Sequence, residues 1–289
     1  MYSLIIGAGF SGRWIAEALN AHGSVIGTRR TKEAVDSLAF DGLVFDAAEQ
    51  SSTLPSDVTD KVTHLVVSVA PGREPPLNEP VLSWIARHDN ESKPLFPKLR
   101  WLGYLSTIGV YGDHMGDWVD EDSPCISTQP RSIMRREAET AWQAFASARS
   151  LPLSVLRLSG IYGPGRNAVH DALKGRDRMI IKPAQVFNRI HVADLATATS
   201  LCALASYDGV LNITDDEPAP PQDVIRHAHA LVGKNAPPEV NFDEAELSPM
   251  ARSFYSENKR VDNRRSKELL GLDYQYPVSY THLTLPTKA

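Results

Sequence analysis

The sequence predicts an α/β protein built on a doubly wound parallel sheet, and three observations carry the prediction. Short apolar runs rich in β-branched residues recur through the first ~160 residues, helical patterns fall between most of them, and glycines follow the first run at once. Strand alternating with helix over such a length specifies parallel strands joined by helical crossovers.

The elements follow in order. Leu4-Ile5-Ile6 reads as a strand buried on both faces. Behind the glycines, Trp14 to Leu19 reads as a helix, because Ile15 and Leu19 stand one turn apart. Ser24–Gly27, Leu43–Phe45, His64–Val69, Trp101–Ser106 and Leu153–Arg157 read as the second to sixth strands, with a clear helical pattern at Ser132–Ala148. Beyond Gly165 the pattern loosens. Residues 166–186 are polar and basic, followed by a helix near Val192–Ala205, a strand at Val210–Ile213 and a helix at about Gln222–Val232. The Pro-rich stretch Pro71–Pro80 is expected to be a surface loop. The expected organisation is a main domain over residues 1–165, completed by about 187–215, with a smaller C-terminal substrate-binding part over 166–277. Residues 278–289 resemble a translated transposase adapter of sequencing libraries. The native reading frame is therefore expected to end near Pro277, and the tail is left out of the functional reading.

Composition narrows the classes. The 289 residues, 42% hydrophobic and 22% charged, suit a globular protein with a sizeable core. A net charge of −5 argues against nucleic acid and an anionic membrane as partners. Met1-Tyr2-Ser3 leads straight into the first strand with no signal peptide, and no apolar run reaches the ~20 residues of a membrane span, so a cytoplasmic protein is expected. Cys125 and Cys202 lie far apart without ligand spacing; buried, reduced thiols are expected, and no metal site.

Gly7-Ala8-Gly9-Phe10-Ser11-Gly12 is a GxGxxG between a strand and a helix, the context in which the motif is informative. Gly7 permits the tight turn, Gly9 lets a pyrophosphate approach, and Gly12 lets helix pack on strand. The helix start at Phe10 and Ser11 offers amides and a partial positive charge to the phosphates. The main domain is thus expected to be Rossmann-type and to hold a dinucleotide. An NAD protein usually ends its second strand in Asp or Glu, which accepts from the ribose 2′-OH. Here Thr28-Arg29-Arg30 follows Gly27, and a guanidinium suits a 2′-phosphate, so NADP is expected ahead of NAD. Asp46 could accept from the adenine amino group, while Ser68, Ala70 and Pro71 would line the cofactor's middle.

Four stretches carry a resemblance. Leu105-Ser106-Thr107-Ile108-Gly109-Val110-Tyr111-Gly112-Asp113 resembles the fifth-strand run of the extended short-chain dehydrogenase/reductases, the nucleotide-sugar epimerases and dehydratases. Trp118-Val119-Asp120-Glu121, Arg157 to Gly165 (with Tyr162-Gly163-Pro164-Gly165) and Phe187 to Asp194 (with Ile190-His191-Val192) are similar to later motifs of that family, in the same order. With the glycine turn the resemblance spans roughly residues 3–275. It implies a Ser/Thr role for Thr107, whose hydroxyl would hydrogen-bond the reacting oxygen.

The family's Tyr-x-x-x-Lys pair is missing. Aligned on Ala138-Glu139, Arg131 takes the tyrosine position and Arg135 the lysine position, and the helix carries no tyrosine. Arg135 could still reach ribose hydroxyls, whereas Arg131, with a pKa above ~12, cannot act as a general acid near neutrality. Tyr111 is the leading stand-in acid, ahead of Tyr162 and of His191, which is expected to be a packed residue. GxGxxG without the pair resembles the atypical short-chain dehydrogenase subgroup that includes the YeeZ-like proteins. Lys174, Arg176, Arg178 and Lys182 would suit an anionic substrate, but Asp171 and Asp177 dilute them and a solvated loop is expected. Lys259, Arg260, Arg264 and Arg265 form a second basic group on an expected surface helix, with no role assigned.

The favoured reading is an NADP-dependent oxidoreductase or epimerase/dehydratase-like enzyme acting on a small molecule, for which the resemblance suggests a nucleotide sugar. Its alternative is a non-catalytic NADP-binding sensor or scaffold, which loss of the Tyr/Lys pair supports. Assembly as a homodimer is left open.

Overall fold

The computed structural model describes residues 1–89, 94–175 and 178–279; Arg176, Asp177 and the tail from 280 lie outside the described residues. In chain order the first half forms β1 (Tyr2–Ile6), α1 (Phe10–Asn20), β2 (Ser24–Arg29), α2 (Lys32–Asp36), β3 (Gly42–Val44), α3 (Ser56–Thr59), β4 (His64–Val67), α4 (Pro80–His88), β5 (Trp101–Thr107), β6 (Trp118–Val119), α5 (Pro130–Ala148) and β7 (Leu153–Leu158). There follow β8 (Gly160–Tyr162), α6 (Ala168–Leu173), β9 (Met179–Ile181), β10 (Arg189–His191), α7 (Val192–Ala205), β11 (Gly209–Ile213), α8 (Pro221–Leu231), β12 (Glu239–Asn241), α9 (Pro249–Tyr255), β13 (Arg260–Val261) and α10 (Arg264–Leu270).

Seven strands form one parallel sheet in the order β11-β7-β5-β4-β1-β2-β3. The sheet is wound outward from β1, where Leu4 pairs with Ile26 of β2 on one side and Leu65 of β4 on the other. Consecutive Leu4, Ile5 and Ile6 are all buried because the sheet is covered on both faces. A doubly wound sheet opens a crevice at the carboxyl ends of its strands where the winding reverses, here at β1 and β4.

The chain divides into two compact units. The first holds Met1–Val110, Pro130–Arg157 and Leu195–Leu211; the second holds Tyr111–Gln129, Leu158–Asp194 and the residues from Asn212 onward. The division interleaves: Leu195–Leu211 returns to the first unit, while Tyr111–Gln129 and Leu158 to Gly165 belong with the second. The chain enters the second unit first at Tyr111, a few residues beyond β5, and again at Leu158, the last residue of β7.

The core of the first unit gathers Leu4, Ile6, Leu65, Val67, Trp84, Leu102, Tyr104 and Trp142. Helix α5 adds Met134, Ala138, Trp142 and Ala146, four residues apart, so one face of a long helix is buried. Helix α4 follows directly on the Pro71–Pro80 stretch, in a segment for which the sequence suggested no element. Glu79 is its N-cap, Oε2 accepting from the Leu82 amide at 2.6 Å; Pro80 opens it, and Val81, Trp84 and Ile85 are buried.

The second unit has three two-stranded pairs, β8–β10, β9–β12 and β6–β13, and a small apolar cluster of Val169, Ala172, Ala219, Val224 and Ala228. Gly112 is required there: its φ is +81°, and a Cβ would lie 2.5 Å from the Ser127 amide nitrogen. The second basic group is not a surface helix. Lys259 is buried, donating to the Gly112 carbonyl at 2.5 Å and pairing with Glu257 at 3.0 Å, and Arg260 belongs to β13. Only Arg264 and Arg265 lie on α10. Arg178 donates to the Glu246 carbonyl and Lys182 to that of Tyr255, so this part of the basic stretch is tied into the unit. Cys202 is buried, whereas Cys125 is half-exposed.

Candidate cofactor-binding site

The glycine turn is fixed from below by β2. The Gly7 amide donates to the Thr28 hydroxyl at 3.0 Å and the Ala8 amide to the Thr28 carbonyl at 2.9 Å. Gly7 takes φ +94°, a left-handed conformation that side chains resist. A Cβ on Gly12 would stand 2.8 Å from the Gly7 carbonyl, so the helix packs on the strand only with glycine there. At Gly9 a Cβ would meet nothing closer than Arg29 Nη1 at 3.6 Å, leaving room above the turn for a ligand's approach. Gly9 is also the N-cap of α1, with no side-chain bond to the first-turn amides and no acid in that turn. A cradle of this kind fits a pyrophosphate.

Arg29 supplies charge to the turn. Its Nη1 donates to the Ala8 carbonyl at 2.9 Å, holding the half-buried guanidinium against the glycines. Arg30 is exposed just before Thr31, the N-cap of α2. Arg13, which the sequence reading passed over, lies on α1 and donates to Ser37 Oγ at 2.6 Å. None of the three forms an ion pair with a described residue, and positive charge beside a helix N-terminus is unfavourable until an anion joins it.

The remaining cofactor candidates flank this turn. Ser68 donates its amide to Ile6 at 2.9 Å, and Val69 Cγ2 would lie 3.0 Å from a Cβ on Gly7, so the chain leaving β4 passes over the turn; Ala70 is exposed. Asp46 closes a turn after β3, one carboxylate oxygen accepting from the Ala48 amide at 3.0 Å.

Strand β5 and helix α5 form the other side. Thr107 Oγ1 accepts from the Gly109 amide at 3.1 Å, while its own O–H has no acceptor among the described residues. Arg135 Nη1 donates to the Leu105 carbonyl at 2.5 Å, and its guanidinium carbon lies 5.8 Å from the centre of the Tyr104 ring. One turn further on, Glu139 accepts from Ser106 and is ion-paired with Arg157 at 2.9 Å. The arginine at the family's lysine position thus lies against the end of β5.

The stand-in acids fare differently. Tyr111 is fully buried and its hydroxyl donates to Asn212 Oδ1 at 2.7 Å, so it is structural rather than presented to a substrate. Sequence spacing suggested otherwise because the partner lies 101 residues away. Tyr162 is buried, and burial together with Asp215 and Asp194 pushes its phenol well above the usual range. His191 is packed, stacking on Tyr276 with ring centres 3.6 Å apart. Among the described residues no helix is long and apolar enough to cross a membrane, and no group of three metal-ligating side chains assembles.

The parallel sheet, its winding and the glycine turn together define a Rossmann-type α/β fold, which several solved epimerases and dehydratases share. UDP-glucuronic acid 4-epimerase from Bacillus cereus, solved in complex with NAD, superposes with a TM-score of 0.73 at 19% identity, covering 95% of this chain and 94% of that one. Protein YeeZ of Escherichia coli (strain K12) is 25% identical over 288 residues, 94% of this chain and 95% of its own length. The chain belongs to the same family as a functionally unknown conserved protein from Silicibacter pomeroyi DSS, which shares 44% identity and a TM-score of 0.85 over 97% of this chain and 95% of that one. No protein-family profile matches the chain.

Proposed function

We propose that the protein is an NADP-dependent oxidoreductase or epimerase/dehydratase-like enzyme acting on a small molecule of the nucleotide-sugar class. The observation that carries this reading is the glycine turn with the Arg29 guanidinium held against it and no carboxylate at the end of β2. The amides around Gly7, Gly9, Phe10, Ser11 and Gly12 would take the pyrophosphate; Arg29, Arg30 and Arg13 would take the 2′-phosphate. Asp46 would face the adenine, Ser68 and Ala70 the middle of the dinucleotide, and Arg135 the nicotinamide ribose. The nicotinamide, when bound, supplies hydride transfer. Thr107 suits a substrate carbonyl or hydroxyl, because its oxygen already accepts from Gly109 and its proton is left to donate. The solved fold neighbours, crystallised with NAD, support a dinucleotide; the arginines support the phosphorylated form.

Fluorescence titration with NADPH and NADH tests the reading. NADPH is expected to bind at least about tenfold more tightly, the worth of one charge-assisted contact to the extra phosphate. Equal affinities would remove the NADP preference, and no binding of either would remove the cofactor. A second reading, a cytoplasmic NADP sensor or scaffold without turnover, is favoured by Arg131 and Arg135 standing where a Tyr/Lys pair would act. Tight NADPH binding with no oxidation in the presence of aldehydes, ketones or nucleotide sugars would select it.

A further inference from the structure

Helix α5 meets the end of β5 at three successive turns, all within the first unit. Glu139 accepts from the Ser106 hydroxyl, and Arg135, one turn nearer the helix start, donates to the Leu105 carbonyl at 2.5 Å. Ser132, three residues earlier again, stands beside Gly109 in the turn that follows β5. Residues three and four apart share a helix face, so Ser132, Arg135 and Glu139 all look toward the strand end. A Cβ on Gly109 would lie 3.1 Å from Ser132 Oγ and 3.4 Å from Thr107 Oγ1. The two hydroxyls therefore flank one small gap, which exists because residue 109 has no side chain. Gly109 and Thr107 are only half-buried, so a ligand can approach over the gap. Ser132 is 3% exposed, and its hydroxyl makes no hydrogen bond among the described residues. Thr107 Oγ1 accepts from the Gly109 amide at 3.1 Å and keeps its own proton to give. A buried hydroxyl with no partner costs stability, and alanine would suit the helix better at that place. The serine is accounted for by a partner that arrives from outside.

We propose that Ser132 is a second substrate-contacting residue, its hydroxyl and that of Thr107 together holding the reacting oxygen of a carbonyl compound above Gly109. The proposal deepens the reading of the protein as an oxidoreductase with Thr107 at the substrate, and rests on it. In the reduction, the carbonyl carbon accepts hydride from NADPH as the C=O π bond opens. The oxygen then takes a proton from water, giving an alcohol and the oxidised dinucleotide. Negative charge builds on that oxygen before the proton arrives, and two donors aimed at it stabilise the charge. Neither hydroxyl has to surrender its proton, so the arrangement does not call for the tyrosine that α5 lacks. The stretch of α5 that offers Arg135 to the ribose thus offers Ser132, one turn away, to the substrate.

Ser132→Ala in the whole protein tests this through three readings: thermal unfolding, NADPH affinity by fluorescence, and NADPH oxidation with para-nitrobenzaldehyde, phenanthrenequinone and a UDP-linked keto sugar as carbonyl probes. The variant is expected to unfold at the same temperature as wild type or higher, because an unpartnered buried hydroxyl is lost. Its NADPH affinity should be unchanged, while kcat falls about a hundredfold, the usual loss on removing one donor to a developing oxyanion. Gly109→Ala, which fills the gap and removes neither hydroxyl, should also lose rate while still binding NADPH. Full rate in either variant would overturn the proposal and leave the cofactor reading in place. So would a Ser132→Ala protein whose rate, NADPH affinity and stability fall together, the mark of a structural serine. Wild type that binds NADPH but reduces none of the three probes would overturn the proposal together with the enzyme reading. Wild type that binds neither NADPH nor NADH would remove the cofactor as well.

Discussion

The two units of the chain treat buried charge in contrasting ways. In the second unit some polar groups are spent on one another: Tyr111 on Asn212, Asn212 in turn on Glu121 and the Asp262 carbonyl, Lys259 on Gly112 and Glu257. There Arg189 is held by the Phe187 and Ala219 carbonyls, and the Tyr162 hydroxyl and both Asp215 carboxylate oxygens find no hydrogen-bond partner among the described residues. In the first unit Arg29 and Arg135 are anchored only to carbonyl oxygens, without a carboxylate. Internal satisfaction makes a scaffold; positive charge held in place and left uncompensated makes a receptor for an anion. The comparison is sharpest between Arg29, held against the glycine turn by the Ala8 carbonyl, and Tyr111, whose hydroxyl is spent on Asn212.

One pair in the first unit is a deliberate exception and gives the largest expected effect. Glu139 and Arg157 are both buried and bonded at 2.9 Å. Replacing Glu139 by Leu strands a buried guanidinium, and urea unfolding should show a loss of about 3–5 kcal/mol. A cost below ~1 kcal/mol would mean that this unit's buried charges need no partners, which dissolves the contrast. Arg29→Ala should next cost about 2–3 kcal/mol of NADPH affinity, read by fluorescence, with NADH affinity changed much less. Equal losses for both cofactors would move Arg29 from the 2′-phosphate to the pyrophosphate.

Each unit carries an acid raised far above its ordinary range, and Glu121 in the second unit is raised as well. Glu79 sits near 7 and Asp215 near 8, each chiefly through burial, with Arg189 opposing the rise at Asp215. An acid raised by folding stabilises fully below its unfolded pKa and loses that contribution as pH climbs through its folded one. Thermal unfolding should therefore show stability falling from about pH 5 to 8, by an order of ~1–3 kcal/mol per group. Glu79→Gln and Asp215→Asn should each flatten the profile. A wild-type profile flat over that window would show both acids ionised in the fold. The smallest effect belongs to Tyr111→Phe: about 1–2 kcal/mol of stability for the unsatisfied Asn212 oxygen, with catalytic rate per folded molecule unchanged. A collapse of rate without loss of stability would restore Tyr111 as a proton donor.

Much of this was legible in the residues alone. The β-branched runs gave the sheet, because strands covered on both faces must be continuously apolar, and GxGxxG gave the turn because each glycine answers a separate steric demand. What escaped notice depended on distant partners or on a misread signal. The Tyr111 hydroxyl is settled by Asn212, far along the chain, and Lys259 is buried by contacts no local pattern announces. Glu79 was hidden by its prolines. A proline directly after a side chain able to cap, followed by Val81, Trp84 and Ile85 at helical spacing, is the mark of a helix start, and that signal was present. Arg13 was readable only once α2 brought Ser37 to it.

The bonds from Thr28 to the Gly7 and Ala8 amides have a kinetic consequence. A loop already clamped in its receiving shape does not have to be ordered by the molecule it receives, so association should run without a slow rearrangement and the free and liganded loops should superpose. Replacing Thr28 with valine would keep the strand and the Ala8 bond to its carbonyl but remove the Gly7 bond, so that part of a ready-made seat must be assembled by each arriving dinucleotide.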